Sequence, residues 1–304
     1  MPTGMLFIFA PLLVGYLIQT SNTAFLSGVN RATNYLIVVI LALMGLSLAS
    51  LDNLGQNLQL ILKYVVVFSV CIGLSNLAAL PIVDKLFPIR VESKKNTLSL
   101  STMAFESIKL ILFVGIGLVA GRLLYIDLSW VDIASESVLF VLLFLIGIQL
   151  RNSGLSLRQI LLNKQGMIIA ITIITTSILG GAVAAVILDL ELYQALAMSC
   201  GFGWYSLSGI LMGDAFGPIF GGASFMIELV RELVALVMIP LVIHSRPSVA
   251  IGYAGATAMD FTLPIIQSTG GVRCVPIAIV SGFILSLLVP LLMLFFVSLV
   301  EQIA

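Results

Sequence analysis

The chain has 304 residues, of which 60% are hydrophobic and only 9% are charged, and its formal net charge is zero. Soluble proteins carry about 25% charged residues, so this composition excludes a water-facing globular domain and predicts an integral membrane protein. The neutral charge balance and the absence of a basic cluster on a folded domain also argue against nucleic-acid binding.

Apolar segments follow one another along the whole chain, and most are close to the roughly 20 residues that a helix needs to cross a bilayer. No basic residue precedes the first segment, so we interpret it as a transmembrane helix and not as a signal peptide. A tenth stretch, 248–267, is interrupted by glycine, aspartate and proline, which makes the predicted number of crossings eight to ten. The other segments are 5–20, 33–50, 60–83, 106–124, 135–150, 166–188, 193–213, 223–243 and 276–299.

Lys and Arg concentrate in alternate loops. Because cytoplasmic loops of membrane proteins carry an excess of Lys and Arg, this asymmetry predicts the orientation of the chain. With the N-terminus outside, the inner loops hold the basic residues of 85–95 and 151–164. The outer loops then hold the acidic residues between 127 and 136. We therefore predict that both termini lie outside, which requires an even number of crossings.

Three short stretches in the first part of the chain recur in the same order about 100 residues later. The pairs are 12–18 with 118–124, 41–48 with 142–150, and 58–63 with 157–162. Because three helices are an odd number, the second copy must enter the membrane from the opposite side, as in the inverted repeats of secondary transporters. The alternative is a chance similarity between Leu- and Gly-rich helices.

These features predict an all-α, polytopic helical membrane protein with inverted three-helix repeats and broken helices, in a single transporter domain over residues 1–304. The first repeat unit covers 5–83 and the second covers 106–189, and a C-terminal unit with broken helices covers 190–304. In this architecture the substrate binds near the middle of the membrane, where the copies meet.

Three charged residues lie inside the apolar segment 223–243. Arg231 and Glu232 follow Glu228 by three and four residues, so a helix places all three on one face. A charge at membrane depth costs at least roughly 2.5–3.5 kcal/mol and therefore usually faces a cavity or a partner. Two carboxylates and one guanidinium leave an excess negative charge, which attracts a cation or a proton. The alternative is a structural ion pair between Arg231 and one glutamate, which leaves Glu232, the deeper acid, unexplained.

Asp52 follows the second apolar segment in the stretch LASLDNLGQN, with Asn53 next to it as a supporting residue. The apolar sequence resumes within about six residues, so Asp52 either caps the next helix or lies on a turn inside the membrane. The second copy has no acid at the matching turn near Gly154. The residues alone leave both interpretations open.

Two glycine-rich stretches, 200–214 and 248–267, interrupt the apolar pattern. Broken helices expose backbone carbonyls and helix ends, which are tolerated at membrane depth only where they line a cavity. Such carbonyls can coordinate an ammonium group, and a helix N-terminus can hold a carboxylate. Small-residue helix packing is the alternative. The supporting site residues that we select here are Asp260, Tyr205, Ser206, Ser208, Thr257 and Gln267.

The sequence gives little support to other chemistries. One histidine, His244, and three scattered cysteines do not have the spacing of a metal site. No Walker-type loop is present, so ATP is not expected to be the direct energy source. We expect no enzymatic activity and no cofactor, with protons as the coupling ion.

Five long stretches resemble the prokaryotic LysO family of lysine exporters, and the similarity extends from Leu12 to about Pro290. They are MGLSLASLDNL, LLFLIGIQLRNSGLSLRQILLNKQGMI, SCGFGWYSLSGILM, MIELVRELVALVMIP and GATAMDFTLPIIQSTGG. The resemblance implies export of L-lysine and of its toxic analogue thialysine across the cytoplasmic membrane. It also implies two functional acids inside the membrane, which match Asp52 and Glu232.

Exporting a cation from a negative cell interior works against roughly 2.3 kcal/mol per 100 mV, so our hypothesis is exchange of lysine for protons. Deprotonated Asp52 and Glu232 would take up lysine inside, and protonation outside would release it. The alternative is a cation/proton antiporter or an organic-anion symporter. An anion carrier should have a net basic interior, whereas the interior of this chain is net acidic. A non-transporting membrane protein would need an extended soluble face. L-lysine and membrane lipid are the expected partners, while a homo-oligomer and discrimination against arginine or ornithine stay open.

Overall fold

A computed structural model of the chain describes residues 10–49, 54–91, 100–123, 130–152, 163–271 and 273–303. The regular elements in these ranges are helices, which confirms the prediction of an all-α fold. A helical segment over residues 10–16 is α1. The others are α2 (Thr23–Ala49), α3 (Leu54–Leu86), α4 (Leu100–Leu123), α5 (Val131–Arg151), α6 (Lys164–Leu188), α7 (Leu192–Ser199), α8 (Tyr205–Phe216), α9 (Pro218–Val242), α10 (Pro247–Ala254), a 3-10 segment (Gly255–Met259), α11 (Leu263–Gly270) and α12 (Cys274–Ile303).

Within the described ranges, four helices combine the length and the apolar composition needed to cross a bilayer: Thr23–Ala49, Gly55–Leu86, Lys164–Leu188 and Cys274–Val300. Helix α9 is also long enough, since its 25 residues extend about 37 Å at 1.5 Å per residue. It differs from the four in carrying the three charged residues predicted from the sequence. The chain is therefore a multi-pass membrane protein.

Local signals set several of the helix boundaries. The side chain of Asn163 accepts a hydrogen bond of 2.9 Å from the amide of Gly166 at the start of α6, which satisfies one of the free N–H groups of a helix N-terminus. Helix α9 begins at Pro218, five residues before the predicted segment, directly after Gly217 with a φ of 89°. Proline at the first helical position is favoured because its ring already has the helical φ.

The helices form two groups. Helices α1, α2, α4 and α5 form the first bundle, in which α2 packs against both α4 and α5. The remaining helices form the second bundle, in which α3 packs against α6, α9 against α8, and α12 against α6 and α7. Contacts of α2 with α8 and α9 and of α5 with α8 join the two bundles.

Two equivalent glycine contacts hold the first bundle together. Gly15 of α1 lies against Gly147 and the carbonyl of Phe144 in α5, and Gly117 of α4 lies against Gly45 and the carbonyl of Ala42 in α2. The equivalent glycines are 102 residues apart in both cases, Gly15 with Gly117 and Gly45 with Gly147. A local two-fold relation would exchange the two contacts in this way, while the predicted repeat units stay a prediction.

The register of the first repeat differs by one helical turn from the sequence match. Aligning 12–18 with 118–124 places Gly15 opposite Gly121, whereas the equivalent contacts place it opposite Gly117. Glycines occur at positions 115, 117 and 121 of this helix. Sequence similarity therefore cannot select among them, while the close backbone contact can.

Both glycine-rich stretches contain interrupted helices, as predicted, and the interruptions cross. The first lies between α7 and α8, with left-handed φ values of 48° at Phe202 and 97° at Gly203. The second is the 3-10 segment that begins at Gly255, with a φ of 67°. The amide of Ala256 donates a 2.8 Å hydrogen bond to the carbonyl of Phe202. A Cβ at Gly255 would clash with that same carbonyl, so only glycine permits this approach.

The glycine contact of α4 predicts a matched pair of outcomes. Gly117→Ala places a methyl group against the carbonyl of Ala42, whereas a Cβ at Gly115 has no atom within 4 Å. We expect Gly117→Ala to lower stability by about 1–3 kcal/mol, as overpacking does, and Gly115→Ala to leave it unchanged or raise it by up to about 1 kcal/mol. Thermal unfolding of the purified variants in detergent measures both. Equal melting temperatures for the two variants would contradict the proposed packing.

Candidate functional site

Glu228 of α9 binds the N-terminal end of α8. Its carboxylate accepts a hydrogen bond from the amide of Gly203, in the interruption just before α8 begins. The side chain is buried, with 1% of its surface exposed. Free N–H groups give a helix N-terminus a partial positive charge, so a carboxylate is the residue type that stabilises this end.

Arg231 binds the opposite kind of helix end. Its Nε donates a 3.1 Å hydrogen bond to the carbonyl of Tyr253 and its Nη2 donates a 3.3 Å bond to the carbonyl of Gly252. Both carbonyls belong to the last turn of α10, which carries a partial negative charge. Arg231 and Glu228 also attract each other electrostatically. The hydrogen bonds of Arg231 and Glu228 to the backbone favour a structural role for these two residues.

The other end of α10 is also held by a charged side chain. Asp84, near the end of α3, accepts hydrogen bonds of 2.7 Å from the amide of Ser248 and 3.3 Å from the amide of Val249. The short helix therefore has a carboxylate at its N-terminus and a guanidinium at its C-terminus. Sequence reasoning missed Asp84, since a lone acid at a helix end gives no sign of a partner 164 residues away.

Glu232 lies one turn beyond Glu228 on α9 and is likewise buried, with 1% of its surface exposed. The phenol of Tyr205, at the start of α8, is close enough to interact electrostatically with the carboxylates of both Glu232 and Asp260. The Tyr205 ring is fixed by an edge-on contact with Phe225, with ring centroids 5.9 Å apart. Tyr205 therefore lies in the neighbourhood of two acids that are 28 positions apart in the sequence.

A cavity of about 230 Å³ lies where the two interrupted helices face the first bundle. We call it the Asp260 cavity. Asp260, an exposed residue, lines it together with Ser206 and Thr257. The described residues that line it are Thr33, Asn34, Ile37, Leu142, Ile146, Gln149, Trp204, Ser206, Ala256, Thr257, Met259, Asp260 and Ser286.

A second cavity, of about 260 Å³, lies on the same interface further along α2. Ile40, Met44 and Ser47 of α2 line it, together with Asp214 near the end of α8. Both cavities are therefore bounded by α2 and α5 on one side and by α8 on the other.

Of the six residues selected from the glycine-rich stretches, Tyr205, Ser208 and Gln267 do not line the Asp260 cavity. Ser208 is fully buried and donates a 2.8 Å hydrogen bond to the carbonyl of Trp204, so it supports the start of α8. Gln267 is exposed on α11, and its backbone carbonyl accepts a hydrogen bond from Gly271. Asp52 and Asn53 lie outside the described residues.

The sequence analysis did not select Asn34, Gln149 and Trp204, all of which line the Asp260 cavity. The two amides stand in otherwise apolar helices, which is the signal that could have identified them, because an amide at membrane depth needs a polar neighbour. Trp204 belongs to the interrupted stretch 200–214, but from this stretch the sequence analysis selected Tyr205, Ser206 and Ser208 as site residues.

The contacts of Arg231 predict strong coupling between two buried charges. Arg231→Met leaves the Glu228 carboxylate buried without its cation, which costs about 3–5 kcal/mol when a buried pair is broken. Adding Glu228→Gln removes that stranded charge, so the double variant should be more stable than the sum of the single effects predicts. Thermal unfolding in detergent gives the coupling energy. Arg246→Met, at an exposed arginine without a side-chain capping bond, serves as the control. Additive effects would exclude coupling.

Comparisons with known proteins agree with one another. The family model described as "Lysine exporter LysO" matches residues 111–297. The Escherichia coli (strain K12) protein "Lysine exporter LysO" is 49% identical over 295 residues, which are 97% of this chain and 99% of the relative. A Haemophilus influenzae protein named "Putative lysine exporter" is 45% identical over 183 residues, 60% of this chain and 94% of the relative. No solved structure matches. The chain belongs to the LysO family of lysine exporters.

Proposed function

We propose that this protein exports L-lysine, and its analogue thialysine, across the prokaryotic cytoplasmic membrane in exchange for protons. The near full-length similarity to an Escherichia coli lysine exporter, at 49% identity, supports the substrate. The observation that carries the geometric side of the proposal is the Asp260 cavity. Among the described residues, its lining contains one carboxylate and no positively charged side chain, which suits a cationic substrate.

The energetics of the substrate favour exchange over passive release. Moving one positive charge out of the cell works against roughly 2.3 kcal/mol per 100 mV. Exchange of one lysine for one proton moves no net charge, so the pH gradient alone can drive it. Each additional proton would add the membrane voltage to the driving force.

Asp52 and Glu232 are the acids that we assign to the exchange. Glu232 is buried within α9 on the same face as Glu228. We assign Glu232 to lysine or a proton in alternation because its stretch resembles the corresponding stretch of the LysO family. Asp52 is assigned by the family resemblance of its stretch. No cofactor enters this scheme.

The orientation follows from the positions of Lys and Arg. We propose that both termini lie on the outer side of the membrane, with the basic residues of 85–95 and 151–164 facing the cytoplasm. Cysteines introduced near each terminus should then react with an impermeant thiol reagent added to intact cells. Labelling that requires opened cells would contradict this orientation.

Everted membrane vesicles test the transport reaction directly, since their outer face is the cytoplasmic one. Vesicles that contain the protein and have an acidic lumen should accumulate labelled lysine, and collapse of the pH gradient with a protonophore should stop accumulation. Vesicles without the protein provide the background. Accumulation that is unaffected by an imposed pH gradient would exclude proton exchange.

Glu232→Gln keeps the size of the side chain and removes its charge, so we expect lysine transport to fall to background. Glu191→Gln is the matched control, because Glu191 is exposed before α7 and makes no side-chain capping bond. The amount of each variant in the membrane is measured by immunoblot. Transport by Glu232→Gln at the wild-type rate would refute the assigned role of this acid.

A further inference from the structure

We propose that the Asp260 cavity binds the side-chain ammonium group of lysine and that Asp260 is its counter-charge. This inference rests on the proposed function and adds a substrate subsite that is separate from Glu232. It follows from three features of the cavity: its place between the bundles, the hydrogen-bonding groups that it leaves available, and its charge.

The cavity lies where a transported molecule can meet both bundles. Its first wall is formed by Asn34 and Ile37 of α2 and by Ile146 of α5. Its second wall is formed by Trp204, in the first interruption, and by Ala256, Thr257, Met259 and Asp260 of the second. Interrupted helices at membrane depth are tolerated where they line a cavity. The 230 Å³ volume is below the 300–1,000 Å³ that is typical for drug-sized ligands, which suits a ligand of amino-acid size.

Several polar side chains around the cavity already donate their N–H or O–H hydrogens to acceptors within the protein. The Nε2 of Gln149 donates to Asn30 Oδ1 at 2.8 Å and to Thr33 Oγ1 at 3.1 Å, which accounts for both of its hydrogens. The hydroxyl of Thr33 donates to the carbonyl of Val29 at 3.0 Å. The groups that these side chains can still offer to a ligand are therefore oxygen lone pairs.

The second wall repeats this pattern. The hydroxyl of Thr257 donates to the carbonyl of Ala254 at 2.9 Å, so its oxygen is left as an acceptor. The Asp260 carboxylate accepts one hydrogen bond from the amide of Phe261, and an ionised carboxylate has about four acceptor positions. A cavity rich in acceptors suits an ammonium group, which brings three N–H donors and no lone pair.

The charge of Asp260 and the aromatic side chain of Trp204 both favour a cationic ligand in the cavity. Asp260 is the charged residue of the described lining, and a carboxylate contributes a charge-assisted hydrogen bond to an ammonium group. The indole of Trp204 lines the same cavity, and tryptophan is the best aromatic partner for a cation. A neutral side chain of the same length has none of these partners, so we expect the cavity to distinguish lysine from norleucine.

Trp204 makes binding measurable, because the chain has only two tryptophans. In purified Trp130→Phe protein, Trp204 is the single indole. We expect lysine to change its fluorescence in a saturable manner and norleucine to have no effect. Asp260→Asn in this background should weaken lysine binding about ten- to a hundredfold, as expected for loss of a hydrogen bond to a charged group. An unchanged lysine affinity in Asp260→Asn overturns the proposal.

Transport kinetics separate this inference from the proposed function. If the wild-type protein moves no lysine in everted vesicles, the proposed function fails. If the wild type transports lysine, Asp260→Asn should raise KM at least about tenfold, and an unchanged KM overturns the subsite alone. Asp189→Asn is the matched control, since Asp189 is exposed with a φ of 54° that asparagine also tolerates. A raised KM in Asp214→Asn with a normal value in Asp260→Asn would place lysine in the second cavity and overturn the assignment.

A second variant covers the case in which Asp260→Asn does not fold, which its melting temperature reveals. Gln149→Leu removes an acceptor from the first wall and keeps Asp260 in place. We expect it to weaken lysine binding several-fold with a smaller effect than Asp260→Asn, about the strength of one neutral hydrogen bond. A folded Gln149→Leu protein with wild-type lysine affinity would also count against the subsite.

Discussion

The crossing of two interrupted helices is the constraint on which the rest of the second bundle depends. It brings the carbonyl of Phe202 against Gly255 and leaves free N–H groups and carbonyls in a part of the protein without bulk water. Unpaired backbone groups in such surroundings cost several kcal/mol each. Glu228 and Arg231 satisfy groups at two of these helix ends. Helix α9 thus stabilises the crossing with two charges of opposite sign, placed three residues apart.

The acids of the second bundle have different surroundings. Glu228 is committed to the backbone. Asp260, an exposed residue on the second interruption, lines a cavity between the bundles. Glu232 is buried one turn beyond Glu228 on α9. Tyr205 lies within electrostatic reach of both Glu232 and Asp260.

Much of the fold was predictable because bilayer physics acts on composition and local pattern. Long apolar runs predicted the helices, and glycine-rich stretches predicted both interruptions. The spacing of Glu228, Arg231 and Glu232 placed them on one helix face. The sequence match aligns Gly15 with Gly121, whereas the equivalent contacts align it with Gly117, since several glycines fit equally well. Asn34 and Gln149 were missed because one amide in an apolar helix does not reveal what it will face.

The sequence by itself determined that the chain is a helical membrane protein of a lysine exporter family with a few charges that must be buried or paired. Only the tertiary structure decided which of those charges hold helix ends and which face a cavity. The physical reason is that periodicity specifies a side chain's direction within its own helix, whereas its partner depends on the packing of distant segments. Arg231 contacts carbonyls 21 and 22 residues away, and Asp84 contacts amides more than 160 residues away. No local pattern encodes such distances.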